Sequence, residues 1–362
     1  MSAKSALHQI EPTPATREAE RLMVICNACR YCEGYCAVFP AMERRLNFGQ
    51  ADLDYLANLC HNCAECYYAC QYAPPHEFAV NVPRVFAELR AETYQKYAWP
   101  GPLAALFRGK RIVIPWILGL SALVLSVANP AGAAFYDVIP HEAMVGIFLA
   151  VSVLIFSAHV AGFARFWNGA GEAISKFLNP AAIAQAASDV LSMKNLGSGG
   201  AGCTYPNERH SQARRILHHF TFYGFLLCFA STTVAALYHF TGSVAPYAYA
   251  SLPVILGTLG GIGLLIGPIG LYSLKRSRDS QLVDPAQDGS DIVFLGLLFF
   301  TSFTGLMLLV MRGTPVMGPL LVVHLAIVLC LFLTLPYGKF VHGIYRSAAL
   351  VKNALEAIRN KH

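Results

Sequence analysis

Apolar residues dominate the chain from about residue 111 onward, in long runs separated by short polar stretches. Six runs are long enough to cross a bilayer core of about 30 Å, for which roughly 20 helical residues suffice. They lie near 111–130, 142–166, 216–239, 251–273, 291–312 and 318–343. The fourth, SLPVILGTLGGIGLLIGPIGLY, is rich in glycine, which predicts close approach of a neighbouring helix. Before residue 111 the pattern is that of a soluble, mostly helical domain over 21–97. ADLDYLANL, between Pro40 and Leu59, suits a packed helix, and Val85 to Lys96 reads as an amphipathic one. Residues 1–20 are polar, hold two prolines and predict a loose arm. Residues 98–110 form a linker whose Trp99-Pro100-Gly101-Pro102 suits a membrane surface.

A long connection, 167–215, separates the second and third runs. It predicts a weakly amphipathic helix around 180–194, followed by GSGGAGC (197–203). That glycine run lacks the Lys-Ser/Thr of a phosphate-binding loop, so it is read as a flexible or tightly approached segment. Cys203 is read as a plain thiol, as are Cys228 and Cys330. Residues 347–362 are left as a C-terminal tail.

Composition fits this division. The chain has 362 residues, 55% hydrophobic and 13% charged, with a mean hydropathy of +0.46. Soluble domains carry about 25% charged residues. The net charge of +6 does not indicate nucleic acid, because the basic residues gather at the ends of apolar runs. Lys110, Arg111, Arg165, Arg209, Arg214, Arg215, Lys275, Arg276, Arg278, Lys339, Arg346 and Lys352 fall on one side. The loops near 131–141, 240–250 and 313–317 carry almost no basic residue beyond Arg312. The positive-inside rule then predicts that both termini, the soluble domain and the 167–215 loop are cytoplasmic. No secretory apolar region precedes the domain, which predicts a reducing surrounding for its cysteines.

Eight of the eleven cysteines lie within the first seventy residues, in two copies of C-x2-C-x2-C-x3-C. CNACRYCEGYCAVFP (26–40) and CHNCAECYYACQYAP (60–74) align without gaps, an internal duplication. This spacing holds cubane iron–sulfur clusters, and in two-cluster proteins the fourth cysteine of each run reaches the other cluster. The expectation is Cys26, Cys29, Cys32 and Cys70 on one [4Fe-4S] centre, and Cys60, Cys63, Cys66 and Cys36 on the second. Ala37 and Gln71 stand where the simplest ferredoxin pattern has proline. Zinc sites favour paired C-x2-C knuckles instead.

Ionisable groups at membrane depth are functional by default. His218, His219 and His239 bound the third run, while His324 and His342 lie in the sixth. The latter two are 18 residues apart, five whole turns, which would put them on one helical face. Facing helices would bring His218 or His219 level with His342, and His239 level with His324. Paired histidines at two depths are what b-type haems need as axial ligands. Helical phase sets His218 with His239 on one face, which leaves the choice between His218 and His219 open at the inner site. His159 is a spare ligand or a quinone-site group, and His141 an interfacial loop residue.

VVHLAIVLCLFLTLPYGKFVHGIYR (322–346) resembles the haem-binding helix of the respiratory nitrate reductase gamma subunit, with two histidines 18 apart. That cytochrome's second ligand helix has histidines about ten apart. Here positions 228 and 229 are Cys and Phe, so an outer haem would draw on His239 or His159. Over its whole length, including RRILHHFTFYGFLLCFASTTVAALYHF (214–240), the chain resembles the tricarballylate-utilisation B family, also called the CitB domain family. The resemblance implies a multi-pass protein of the bacterial inner membrane that reoxidises the flavin of an FAD-containing tricarballylate dehydrogenase. It implies electron delivery to quinone, and it favours His219 with His342 for the inner haem.

The expected fold is therefore mostly α: a two-[4Fe-4S] ferredoxin-like domain fused to a six-helix cytochrome b-type bundle with one or two haems. No dinucleotide fingerprint, hydrolase triad or metal-hydrolase motif is present, so the chain is expected to carry electrons and make no bond in an organic substrate. The alternatives are the membrane arm of a heterodisulfide-reductase-like or other dehydrogenase complex, and a membrane redox sensor.

Overall fold

The computed structural model describes residues 11–107 and 131–360 apart from 133, 201, 205 and 244, together with 117, 119, 121 and 129. The predicted first span, 111–130, lies outside the described residues except at those isolated positions. The described residues are helical, and their β pairing is one antiparallel bridge between Cys203 and Ser211.

Helix α1 (Pro14–Cys29) starts where Thr13 accepts the Thr16 N–H at 3.1 Å and proline occupies the first turn, a pre-organised helix start. Residues 14–20, expected as a loose arm, are therefore helical. Helices α2 (Val38–Glu43), α3 (Gln50–Leu59), α4 (Glu65–Tyr68) and α5 (Val82–Tyr97) complete the soluble domain. They bury Leu22, Met23, Met42, Leu53, Leu56, Phe86 and Leu89. Asp54, fully buried on α3, accepts from Lys96 at 2.7 Å and from the Tyr97 hydroxyl at 2.5 Å, tying α3 to α5.

After α6 (Gly101–Leu106) and α7 (Phe135–Val138), α8 (His141–Gly169) runs back toward the soluble domain. The connection after it carries α9 (Ile174–Phe177) and α10 (Pro180–Leu191). Then come α11 (Ala213–Phe240), α12 (Leu252–Arg276), α13 (Pro285–Met311) and α14 (Met317–Thr334). Helices α8, α11, α12, α13 and α14 are long and apolar enough to cross a membrane. Helices α11 and α12 meet backbone to backbone. A Cβ at Gly260 would lie 2.8 Å from the Gly224 oxygen, and one at Gly263 2.9 Å from the Phe220 oxygen.

The sixth predicted span is not one helix. Helix α14 stops at Thr334, residues 335–340 turn, and α15 (Val341–Arg359) begins. Pro336 has no amide proton to continue the ladder. Gly338 folds back so that its N–H donates to the Thr334 oxygen at 2.8 Å. A Cβ at Gly338 would lie 2.9 Å from that same oxygen, so the turn requires glycine. The expectation that His324 and His342 share one face of one helix is thereby overturned.

Helix α15 does not leave the molecule as a tail. Its Val341, Tyr345, Ala349, Leu350, Ala354 and Leu355 join the core formed by α1, α3 and α5, together with Phe166 and Trp167 at the end of α8. Arg45 pairs with Glu356 at 2.5 Å and with Asp52 at 2.6 Å. Arg359 grips Glu172 through two bonds of 3.0 Å. At the far end of the helices, Val138 and Ile139 pack on Met317 and Leu321. There Arg312 lies 3.6 Å over the Tyr249 ring.

Candidate functional site

The two cysteine runs are equal in sequence and unequal in structure. Cys26 and Cys29 lie on the last turn of α1, one helical turn apart, whereas Cys60 and Cys63 occupy the irregular segment between α3 and α4. Asn62 and Ala64 in that segment take left-handed backbone, with φ of 55° and 68°. Two backbone amides of the second copy turn onto cysteine sulfurs. Asn62 N–H meets Cys60 Sγ, and Tyr72 N–H meets Cys70 Sγ, both at 3.4 Å.

Charge coupling links Cys26, Cys29, Cys32 and Cys70 to one another and Cys36, Cys60 and Cys66 to one another, and it also joins Cys66 to Cys32 and Cys26 and Cys36 to Cys32. Burial, then Cys32, Cys70 and Cys29, pushes the Cys26 thiol up to about 12. Burial, then Cys70 and Cys29 with Glu65, does the same to Cys32. Burial, then chiefly Cys60, pushes Cys36 up to about 12. Cys66 is held well above the thiol range by burial, then by Cys36 and Cys60. Thiols so crowded resist carrying bare negative charge, and a cationic inorganic core is what keeps such groups deprotonated.

Cys26, Cys29, Cys32 and Cys70, with Cys66, line a cavity of about 240 Å3. Among the described residues no three His, Cys, Asp or Glu side chains converge on a point that would suit a single metal ion. Thiols spread around a cavity of that size fit a cluster better than a lone zinc ion.

A second cavity of about 680 Å3 lies between the soluble domain and the membrane helices. His218 of α11 and His342 of α15 both line it, with ring centres 6.1 Å apart. Two imidazoles on opposite sides of one metal, each bound at about 2 Å, have ring centres roughly 6 Å apart. The His342 Nδ1 bonds to the Lys339 carbonyl, which fixes that nitrogen as the donor and leaves Nε2 with its lone pair. Burial first, then Arg346 and Lys339, holds His342 well below the usual histidine range, so its ring stays neutral. The Nδ1 of His218 is buried without a hydrogen-bond partner. Apolar Phe222, Phe225 and Phe294 line the cavity beside the cationic Arg90, Arg214 and Arg346. A flat apolar macrocycle with anionic side arms, as in haem, fits that lining. Asp291 bridges Lys275 at 2.7 Å and Lys339 at 2.9 Å on the same wall.

The remaining histidines lie elsewhere. His219 stacks on Tyr223, with ring centres 5.7 Å apart. His239 stacks on His141 at 3.8 Å with an interplanar angle of 21°, too close for a metal between their faces. His324 bonds to Thr304 of α13 at 2.9 Å, and no ring contact joins it to His239 among the described residues. His159 lies 5.5 Å from Phe340, and its Nε2 is buried without a hydrogen-bond partner. The structure thus brings together His218 with His342 and His141 with His239.

Several residues gain roles that their sequence context did not suggest. Cys203, fully buried, donates to the Cys63 carbonyl at 2.9 Å. Contact with the Cys203 thiol, followed by burial, holds the Cys63 thiol well above its ordinary range. Arg90 donates to the Ala57 and Cys60 carbonyls, Arg346 to Cys60 and Arg214 to Asn62. The one available signal for Cys203 was the glycine run before it. The arginines carried none, since they come from three distant helices.

Residues 19–96 match the family model described as the citrate utilization protein B Fer4-like domain, and residues 102–362 match the model described as citrate utilization protein B. The chain belongs to the citrate utilization protein B family. An Escherichia coli member, citrate utilization protein B, is 49% identical over 361 residues, spanning 96% of this chain and 94% of that protein. No solved structure matches the chain. The division between the two family models, near residue 100, coincides with the Trp99–Pro102 linker. The family frame thus spans both the cysteine-rich domain and the membrane helices.

Proposed function

We propose that this chain is an inner-membrane electron carrier that reoxidises the reduced flavin of a partner dehydrogenase of citrate or tricarballylate utilisation and delivers the electrons to quinone. Cys26, Cys29, Cys32 and Cys70 would hold one [4Fe-4S] cluster, and Cys36, Cys60, Cys63 and Cys66 the other. His218 and His342 would hold one b-type haem. When bound, these groups supply one-electron relays between a two-electron flavin and a two-electron quinone. The chain's own residues set their environment. Core packing of α1, α3, α5 and α15 limits water around the thiols, most fully at Cys60 and Cys63, and the Lys339 carbonyl orients His342.

One observation carries the reading: the Cys60–Cys63 segment and the His218–His342 pair are linked by the same arginines. Arg90, Arg214 and Arg346 bond to that segment and also line the cavity holding both histidines. The family name carried by the Escherichia coli relative supports a role in citrate utilisation; the tricarballylate alternative rests on the sequence resemblance. Orientation rests on the basic residues at the cluster-domain end of the membrane helices.

The test uses membranes containing the partner dehydrogenase and its substrate. Cys63→Ala should leave haem that dithionite reduces and substrate no longer does, and in the unaltered protein added quinone should reoxidise the haem. Reduction by substrate at the normal rate in Cys63→Ala would take the clusters off the path.

A further inference from the structure

The segment GSGGAGC and the residues after it form a strap laid across the second cysteine run. Gly199 approaches the Gly34 carbonyl so closely that a Cβ would lie 3.3 Å from it. Gly202, at φ +107°, lets Cys203 and Ser211 exchange two backbone hydrogen bonds of 3.0 Å, closing the strap into a tight loop. A Cβ at Gly202 would sit 3.0 Å from Ser211 backbone atoms. From this loop Cys203 donates to the Cys63 carbonyl at 2.9 Å and Thr204 to the same oxygen at 3.5 Å. His210 bonds to Glu65 at 3.0 Å. Arg214 reaches the Asn62 carbonyl at 2.6 Å and lies 3.8 Å from Cys203 Sγ.

Among the described residues the strap meets the first run at Gly34, while its side-chain hydrogen bonds go to the second. Cys60 and Cys63 are buried, and the other six cysteines of the two runs are half-buried. Tyr31, between Cys29 and Cys32, is 66% exposed. Each expected centre receives one of the two amide-to-sulfur contacts, at Cys70 in the first and at Cys60 in the second, so these contacts do not distinguish the centres. The difference comes from outside the duplicated unit, in a thiol and three guanidinium groups aimed at one turn.

Reduction adds one negative charge to a cluster, and its potential follows net charge, hydrogen bonding and exposure. Burial opposes the added charge. Cations and hydrogen-bond donors favour it. Three guanidinium groups reach the carbonyls of the turn that carries Cys60 and Cys63, and their positive charge favours an added electron there. We propose that Cys203 and Arg214 make the centre held by Cys36, Cys60, Cys63 and Cys66 the more easily reduced of the two. Electrons then run from the exposed first centre to the covered second one, which borders the His218–His342 cavity. The inference rests on the two-cluster reading above and adds the order of the centres and the residues that set it.

The test is an EPR-monitored redox titration of the purified full-length protein with iron quantified. Cys63→Ala identifies the second centre's signal. Arg214→Gln should lower that centre's midpoint by about tenfold in its one-electron equilibrium, about 59 mV, with the first centre unchanged. Cys203→Ala should lower it by a smaller amount at full iron content, and Cys203→Ser should restore it. Unchanged midpoints in both Arg214→Gln and Cys203→Ala would overturn the proposal. So would equal shifts of both centres, or loss of half the iron in Cys203→Ala, which would make Cys203 a ligand. Absence of two cluster signals in the unaltered protein would instead defeat the two-cluster reading itself, and this inference with it.

Discussion

His342 and His219 are both histidines at the edge of the apolar region, yet their surroundings differ. His342 is held by the Lys339 carbonyl and faces His218 at 6.1 Å, whereas His219 leans on Tyr223. If the cavity holds haem as proposed, replacing His342 or His218 by Ala should abolish the reduced-minus-oxidised b-type absorbance, because one of the two side chains that would hold it is lost. His219→Ala should leave that absorbance in place. Optical spectra of the three variants, with haem quantified, check this. The cysteine-rich Fer4-like domain was legible in the sequence because its signal is local spacing, read by counting along two short runs. The histidines were only half legible. Eighteen residues make five turns only if the helix is continuous, and Pro336 and Gly338 end it. The Leu-Pro-Tyr-Gly stretch was the available warning. His141 was hidden for a different reason, since its partner His239 is a hundred residues away.

At the scale of elements, α11 and α12 are matched by glycine. Gly260→Leu would drive a side chain into the Cys228 amide and the Gly224 carbonyl. It should separate the helices and displace His218, and so lose haem along with thermal stability; an alanine at the same place should cost about 1–3 kcal/mol. The clasp of α15 gives a second expectation. Glu356→Ala removes one of the two carboxylates that hold Arg45 and leaves Asp52, at a cost of about 1–3 kcal/mol. Chemical denaturation followed by cluster absorbance measures it. Glu172 adds a pH dependence. Burial alone would raise its pKa, but the hydrogen bonds and charge of Arg359 outweigh burial and hold it below the ordinary carboxylate range. Its contribution is present above the unfolded-state value of about 4.3 and is lost as pH falls through the lowered folded value. Iron retention should therefore decline on acidification, and less steeply in Glu172→Gln. Sequence periodicity located these helices well because apolar runs are long. It left α15 as a tail because Ala348, Ala349 and Leu350 offer too little hydrophobic length to stand out without their partners on α1 and α3.

For the whole molecule, the alternating helices place Arg214, Lys275, Asp291 and Lys339 at one end. His141, His239 and Arg312 with Tyr249 lie at the other. If the first end is cytoplasmic, Ser243→Cys should react with an impermeant thiol reagent from outside intact cells. Ser280→Cys, also exposed, should react only after permeabilisation. The reverse pattern would invert the orientation drawn from the basic residues.

Helix α15 is translated after every membrane helix, yet its Val341, Tyr345, Ala349 and Leu355 complete the core around the N-terminal cysteine domain. Domains ordinarily fold in order of synthesis. Here the core of the cysteine domain is complete only once α15 has docked. If the thiols take up iron, uptake is expected to follow that docking, and a chain truncated before residue 341 should retain less iron than the intact protein.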